Sequence, residues 1–171
     1  MEFGMQFFPC VGPDQKSGQQ YFDECLRLTE FADVFGYTHI RIVEHYFHAY
    51  GGYSPNPIVF LSAASQRTEK ARMVTGAVLP VFNNPLKLAG EIAMLSNLCS
   101  GNLFLGLGRG TAKLEYDAFG INMEEARDRF TDCCEILKLA LSGQPFSYQG
   151  KYHSTNREVR IRPEPNSERI H

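Results

Sequence analysis

Glu44 and His45 stand side by side in the stretch VEHYF, between an apolar run and the loop YGGYSPNP. An imidazole titrates near neutral pH and can move protons under physiological conditions. The pair reads either as the working part of an active site or as two polar residues capping a strand. His48 follows three residues later, but the zinc-protease order is H-E-x-x-H on a helix, and here E-H-x-x-H runs into a glycine-rich loop, so no metal is expected. A second chemical stretch is GLGRG, where Arg109 sits among Gly106, Gly108 and Gly110. The dinucleotide fingerprint G-x-G-x-x-G fails there, because Thr111 occupies the third glycine position. What remains is a tight turn, or a guanidinium held by flexible backbone for an anionic ligand group. Thr75 and Gly76 fall near the end of another apolar run, RMVTGAVL.

These residues need a scaffold, and the apolar periodicity supplies one. FGMQFF (3–8), THIRIV (38–43), RMVTGAVL (72–79) and NLFLGLG (102–108) read as strands. Between them, 18–35 has helical spacing ended by Gly36, 58–68 follows Pro57, and 85–99 starts on Pro85. A last helix spans about 123–142 with Ala126, Phe130, Cys133, Cys134, Leu137 and Leu141 on one face. The charges of LEYDAFGINMEEARDRF read as a solvated helix face without chemistry, and the asparagines of PVFNNP as a turn. FSYQGKYHS reads as a small hairpin around Gly150, and VRIRPEPNSERIH as a polar tail. Four parallel β-α units, with strands apolar on both faces, give an α/β sheet covered by helices. Such a sheet is either a small doubly wound fold or the first half of a (β/α)8 barrel, and in both a ligand sits at the carboxyl ends of the strands. Glu44, His45, Thr75, Gly76 and Arg109 all collect on that rim.

At 171 residues and 43% hydrophobic, the chain suffices for one globular domain, 1–171. A net charge of −2 without blocks of like charge points away from nucleic acid and membrane surfaces, leaving a small molecule or a protein as partner. The five cysteines, at 10, 25, 99, 133 and 134, contain no C-x-x-C and read as free thiols of a cytoplasmic protein. No stretch has the composition of a signal peptide or a membrane span.

Taken in order, MEFGMQFF, VEHYF, SPNP, GAVLPVFNNP, EIAMLSNLCSGNLFLGLGRG and FGINMEEARDRF resemble the bacterial luciferase-like family of flavin-dependent monooxygenases over nearly the whole chain. The resemblance implies a TIM-like barrel that uses reduced FMN and oxygen through a flavin C4a-peroxide, or the deazaflavin F420 in a related branch. It makes His45 the catalytic histidine beside the flavin and Arg109 the contact to the flavin phosphate. Thr75-Gly76 then corresponds to the place of a non-proline cis peptide against the flavin ring, and Glu44 orients His45 or borders the flavin pocket. A separate flavin reductase supplies electrons, since no nicotinamide fingerprint is present, and substrates span aldehydes, alkanes, phenols and organosulfur compounds.

Family barrels continue for four more β-α units, so the chain is expected to be the N-terminal half of the barrel, inactive alone and with its first and fourth strands as open edges. Two rivals stay open: an F420-dependent oxidoreductase on the same scaffold, and a noncatalytic half-barrel, either a partner subunit or a fragment. Ser62, Ala63, Ala64, Ala89, Gly90 and Ala93 are expected to form a homodimer face, with association to a complementary half-barrel as the other mode of assembly.

Overall fold

The computed structural model describes residues 1–171, apart from the side chain of residue 169. Four parallel strands, β1 (Gly4–Phe7), β2 (His39–Ile42), β3 (Arg72–Val78) and β4 (Leu103–Leu107), lie in sequence order in one sheet. Each is followed by helix: α1 (Gly18–Glu30) with the short α2 (Ala32–Phe35), then α3 (Pro57–Ala64), α4 (Pro85–Leu98), and α5 (Lys113–Ala118) with α6 (Ala126–Leu141).

Helix starts follow local chemistry. Asn56 accepts from the N–H groups of Ile58 and Val59, and Asn84 from those of Leu86 and Lys87, with Pro57 and Pro85 at the first helical position. Ser17 caps α1 in the same way. The segment expected as one helix over 18–35 breaks at Phe31, and Gly36 stops it in the left-handed region at φ 72°.

The sheet departs from the expectation of apolar strands on both faces. In β2, Ile40 and Ile42 are fully buried against the helices, whereas His39 is half-buried and Arg41 exposed on the other face. Ile40, Ile42, Met73 and Leu103 pack with Leu61, Leu88, Ile92 and Leu95 into the main core. The opposite face is an open concavity of about 360 Å³ lined by Gly4, Gln6, His39, Arg41, Val74 and Phe104. One face is thus covered by helices and the other is not.

The edges are corrected too. β1 pairs on one side only, but Ile170 bridges Leu103 in parallel, with Leu105 N–H donating to His171 O at 2.8 Å and His171 N–H to Leu103 O at 3.0 Å. The outer side of β4 is therefore partly paired. The segment leading there is no trailing tail. Ile161 is buried, Asn97 donates to Glu164 O at 2.8 Å, and Asn166 N–H donates to Ser96 Oγ at 3.1 Å.

The expected hairpin is present, with Phe146 opposite Val159 and Gln149 opposite Ser154. Asp132 of α6 pins it. This carboxylate accepts from Tyr148 Oη at 2.6 Å and from the N–H groups of Tyr152 and His153 at 3.0 and 2.8 Å. Gly150 allows the close approach, since a Cβ there would lie 1.8 Å from Asp132 Oδ1. Asp132→Asn keeps an acceptor but loses the charge that strengthens all three bonds, so it is expected to destabilise the chain by about 1–2 kcal/mol. Amide exchange should rise first at residues 148–155. Unchanged exchange there would show that the hairpin stands without Asp132.

Candidate active site

The carboxyl ends of β2, β3 and β4 form the rim. Beyond β2, Val43 and Glu44 are buried and His45 is one-quarter exposed. Phe47 lies in the left-handed region at φ 67°, unusual for a side chain of its size, and the loop folds back over the histidine. Gly51, at φ 83°, lies under the His45 ring, where a Cβ would be 2.7 Å from Cδ2. Phe8 and Tyr50 flank the ring at 5.8 and 6.0 Å between centroids.

The carboxylate that touches His45 is Glu115, from α5. Its Oε1 accepts from His45 Nδ1 at 3.0 Å and from Tyr46 N–H at 3.0 Å, and it lies 3.8 Å from His48 Nε2. Glu115 is fully buried, and its Oε2 has no hydrogen-bond partner among the described residues. A carboxylate can only accept, so the proton of neutral His45 sits on Nδ1 and Nε2 is left as the basic nitrogen.

Sequence reasoning took the LEYDAFG charges for a solvated face and missed this residue. The next residue, Tyr116, is also fully buried, and its hydroxyl donates to Arg109 O at 2.5 Å. Two neighbouring residues of one short helix therefore hold the histidine and the arginine turn. No single-residue cue marks Glu115. The usable one was that a helix beginning three residues after Gly110 must present its first turn to the rim.

Glu44 has other work. It is 4% exposed, and its carboxylate accepts from the Tyr46 hydroxyl and from Leu79 N–H at 3.0 Å. Burial pushes its pKa up to about 7; the two hydrogen bonds pull the other way, and the nearby Glu115 charge adds to the rise. Glu44 thus ties the β2 loop to the end of β3, and the orienting contact expected of it belongs to Glu115. Burial likewise raises the Tyr46 phenol.

Thr75 and Gly76 face opposite ways. Thr75 is buried on the helix side and donates to Gly106 O at 2.8 Å, joining β3 to β4. Gly76 lies on the open face, where a Cβ would be 1.9 Å from Arg41 Nε. The non-proline cis peptide lies one bond further on, between Gly76 and Ala77, where the β3–β4 register shifts. Arg109 is exposed and takes part in no ion pair among the described residues. Gly106 and Gly108 allow tight packing beneath it, since a Cβ on Gly106 would lie 2.3 Å from Thr75 O.

Four parallel β-α units in one sheet, with a buried carboxylate behind a rim histidine, have the architecture of one half of an α/β barrel. The chain belongs to the luciferase-like monooxygenase family, which it matches over residues 1–171. It is similar to the monooxygenase RslO1 from Streptomyces bottropensis, with 47% identity and a TM-score of 0.90 over 99% of this chain and 52% of that one. The oxygenating constituent of 3,6-diketocamphane monooxygenase from Pseudomonas putida, solved with FMN, is 29% identical with a TM-score of 0.81, over 91% of this chain and 44% of that one. The oxygenase component of the flavin-dependent trigonelline monooxygenase of Acinetobacter baylyi is 31% identical over 81% of this chain and 39% of its own length. An F420-dependent glucose-6-phosphate dehydrogenase of Tsukamurella paurometabola is 28% identical over 80% of this chain and 43% of its own. The chain spans about half the length, or less, of these relatives.

Proposed function

We propose that the chain is the N-terminal half-barrel, one domain over 1–171, of an FMN-dependent oxygenase component acting on a small organic molecule, with a separate flavin reductase as its partner. The observation that carries this reading is the Glu115–His45 contact on the rim. It sets Nε2 as a proton acceptor at the carboxyl end of the strands, where family chemistry takes place. The residues present fit one side of an FMN site: His45 and Gly76 on the rim, Thr75 holding the strand beneath, Glu44 bracing the loop, and Arg109 with its charge exposed for a phosphate. Bound there, reduced FMN would supply the electrons that activate oxygen. His45 would take or give the proton while Glu115 fixes its ring.

The isolated chain is expected to bind FMN weakly and to oxidise nothing, because the groups that would enclose the cofactor lie outside these 171 residues. A solvent-exposed arginine contributes about 0–1 kcal/mol to such a contact, so Arg109→Ala should weaken FMN binding by no more than about fivefold. Fluorescence quenching, followed by oxygen uptake with chemically reduced FMN, measures both. Micromolar affinity with substrate-dependent turnover would sink the half-barrel reading. In a full-length enzyme carrying these residues, His45→Ala should lower coupled oxygenation by about 100-fold or more with little change in flavin affinity. Normal coupled turnover would remove His45 from the chemistry.

The similarity to F420-dependent dehydrogenases supports a second reading, hydride transfer without oxygen. Oxygen uptake by the full-length enzyme separates the two. Association through α3 and α4 is also proposed, on a revised face. Ala64, Ala89 and Ala93 are fully buried in the chain's own core, and these helices expose Val59, Ala63, Met94 and Leu98 together with the polar Lys87 and Asn97. Solution scattering that gives a monomer would reject this dimer. A cytoplasmic location is consistent with the five free cysteines, and among the described residues no helix is long and apolar enough to cross a membrane.

A further inference from the structure

We propose that His45, His48 and Glu115 form a three-ligand site for a divalent transition-metal ion of the zinc class. His45 Nδ1, His48 Nε2 and Glu115 Oε1 lie within 4.8 Å of one another. The two distances to Glu115 Oε1 are 3.0 and 3.8 Å. Ligands about 2.0–2.1 Å from a tetrahedral ion stand about 3.3 Å apart, so the two distances to Glu115 bracket what zinc requires, and the two histidine nitrogens, within 4.8 Å of each other, close toward that spacing by side-chain rotation in the partly exposed loop.

The second observation is the state of Glu115. It is fully buried, and Oε2 has no hydrogen-bond partner among the described residues. Buried carboxylate oxygens are normally paired, and a cation held at Oε1 would compensate the charge that the fold leaves unmatched. The surrounding residues keep the ligands in place. Tyr46 N–H donates to Oε1, the His48 ring stacks on Tyr50 at 6.2 Å and 15°, and the bend at Phe47 brings the two histidines to one side. Three protein ligands leave a fourth position of a tetrahedral ion to water or another exogenous ligand.

E-H-x-x-H has the wrong order for a helical zinc motif, and the third ligand lies 70 residues beyond His45. The site is therefore a product of the fold, on which α5 brings Glu115 to the β2 loop. On binding, His45 Nδ1 gives up its proton to coordinate and Nε2 takes one up from solvent, so the imidazole stays neutral in its other tautomer, while Glu115 exchanges a hydrogen bond for a metal bond. This inference stands on the ligand geometry and does not depend on the oxygenase reading.

The test is binding, with no activity assay. Purified, EDTA-treated chain is titrated with Co²⁺ and followed by visible absorption, then with Zn²⁺ by calorimetry. Cobalt d–d bands of a four-coordinate nitrogen and oxygen site, without a thiolate charge-transfer band, are expected at one ion per chain. His48→Ala should weaken both ions by about 100-fold, as should Glu115→Gln. His48→Ala lies in a partly exposed loop, and its thermal melt serves as the folding control; His48→Gln, which removes the imidazole with less loss of volume, must show the same loss of metal. Unchanged affinity in either His48 variant would overturn the site. So would a thiolate band, which would assign the ion to a cysteine such as the exposed Cys10, and so would the absence of binding at millimolar cobalt.

Discussion

Glu115→Ala is expected to destabilise the chain by about 3 kcal/mol in urea or thermal unfolding. Two hydrogen bonds to a charged acceptor disappear, each worth about 1.5–3 kcal/mol, and the uncompensated burial of Oε2 is relieved in part exchange. The loss would leave Tyr46 N–H and His45 Nδ1 without the acceptor they now share. The more specific consequence is at the imidazole. In the native chain the ¹⁵N spectrum of His45 at alkaline pH should show the proton on Nδ1, and Glu115→Ala should release that preference. Glu115→Gln, which keeps an oxygen in place, should retain the tautomer while still losing stability. If His45 shows the same tautomer in the alanine variant, its orientation comes from the packed loop of Gly51 and Tyr50, and Glu115 has only a structural role.

Glu44→Gln is expected to flatten the pH dependence of stability. The folded carboxyl titrates near 7, against 4.5 as its ordinary value. Between those values the folded chain holds a proton that the unfolded chain has released, so the unfolded state binds fewer protons and stability falls as pH rises. Glu44's favourable share is complete below about 4.5 and is lost as pH climbs through 7, for a total on the order of 3 kcal/mol. Urea unfolding at pH 5 and pH 8 measures it. Wild type should be less stable at pH 8 by an amount that Glu44→Gln removes, since an amide keeps the shape and an acceptor without the charge. Equal slopes in the two proteins would show that Glu44 is already ionised at pH 5 in the folded chain.

Much of the scaffold was legible in the sequence because it rests on local rules. Asn56-Pro57 and Asn84-Pro85 begin helices, Gly36 ends one, and Gly150 sits where only a bare backbone clears Asp132. The rim histidine was legible from its place after a strand. The open sheet face was not, because THIRIV looks apolar as a run although its alternate residues His39 and Arg41 are polar. The opposite facing of Thr75 and Gly76 follows from the same two-residue period, with Met73 buried on the Thr75 side. Glu115 was out of reach for a different reason. Its neighbour Leu114 is exposed while Glu115 is fully buried, inverting the polarity on which helix reading depends, and its partner is 70 residues away. The alanines of α4 read equally well as a surface for a second chain or as close packing on the sheet, and only the third dimension distinguishes those.

Because the six residues of α5 hold His45 by one side chain and the Arg109 carbonyl by the next, the two ends of the site are not independent variables. Whatever shifts α5 toward one position alters the free energy of contacts at Arg109 and of proton binding at His45 together. By reciprocity, an anion that orders the arginine turn must bias the protonation of the histidine by the same amount as protonation biases the anion. A substitution in α5 that touches no ligand can therefore change anion affinity and proton affinity at once, and substitutions at the two ends should not combine additively.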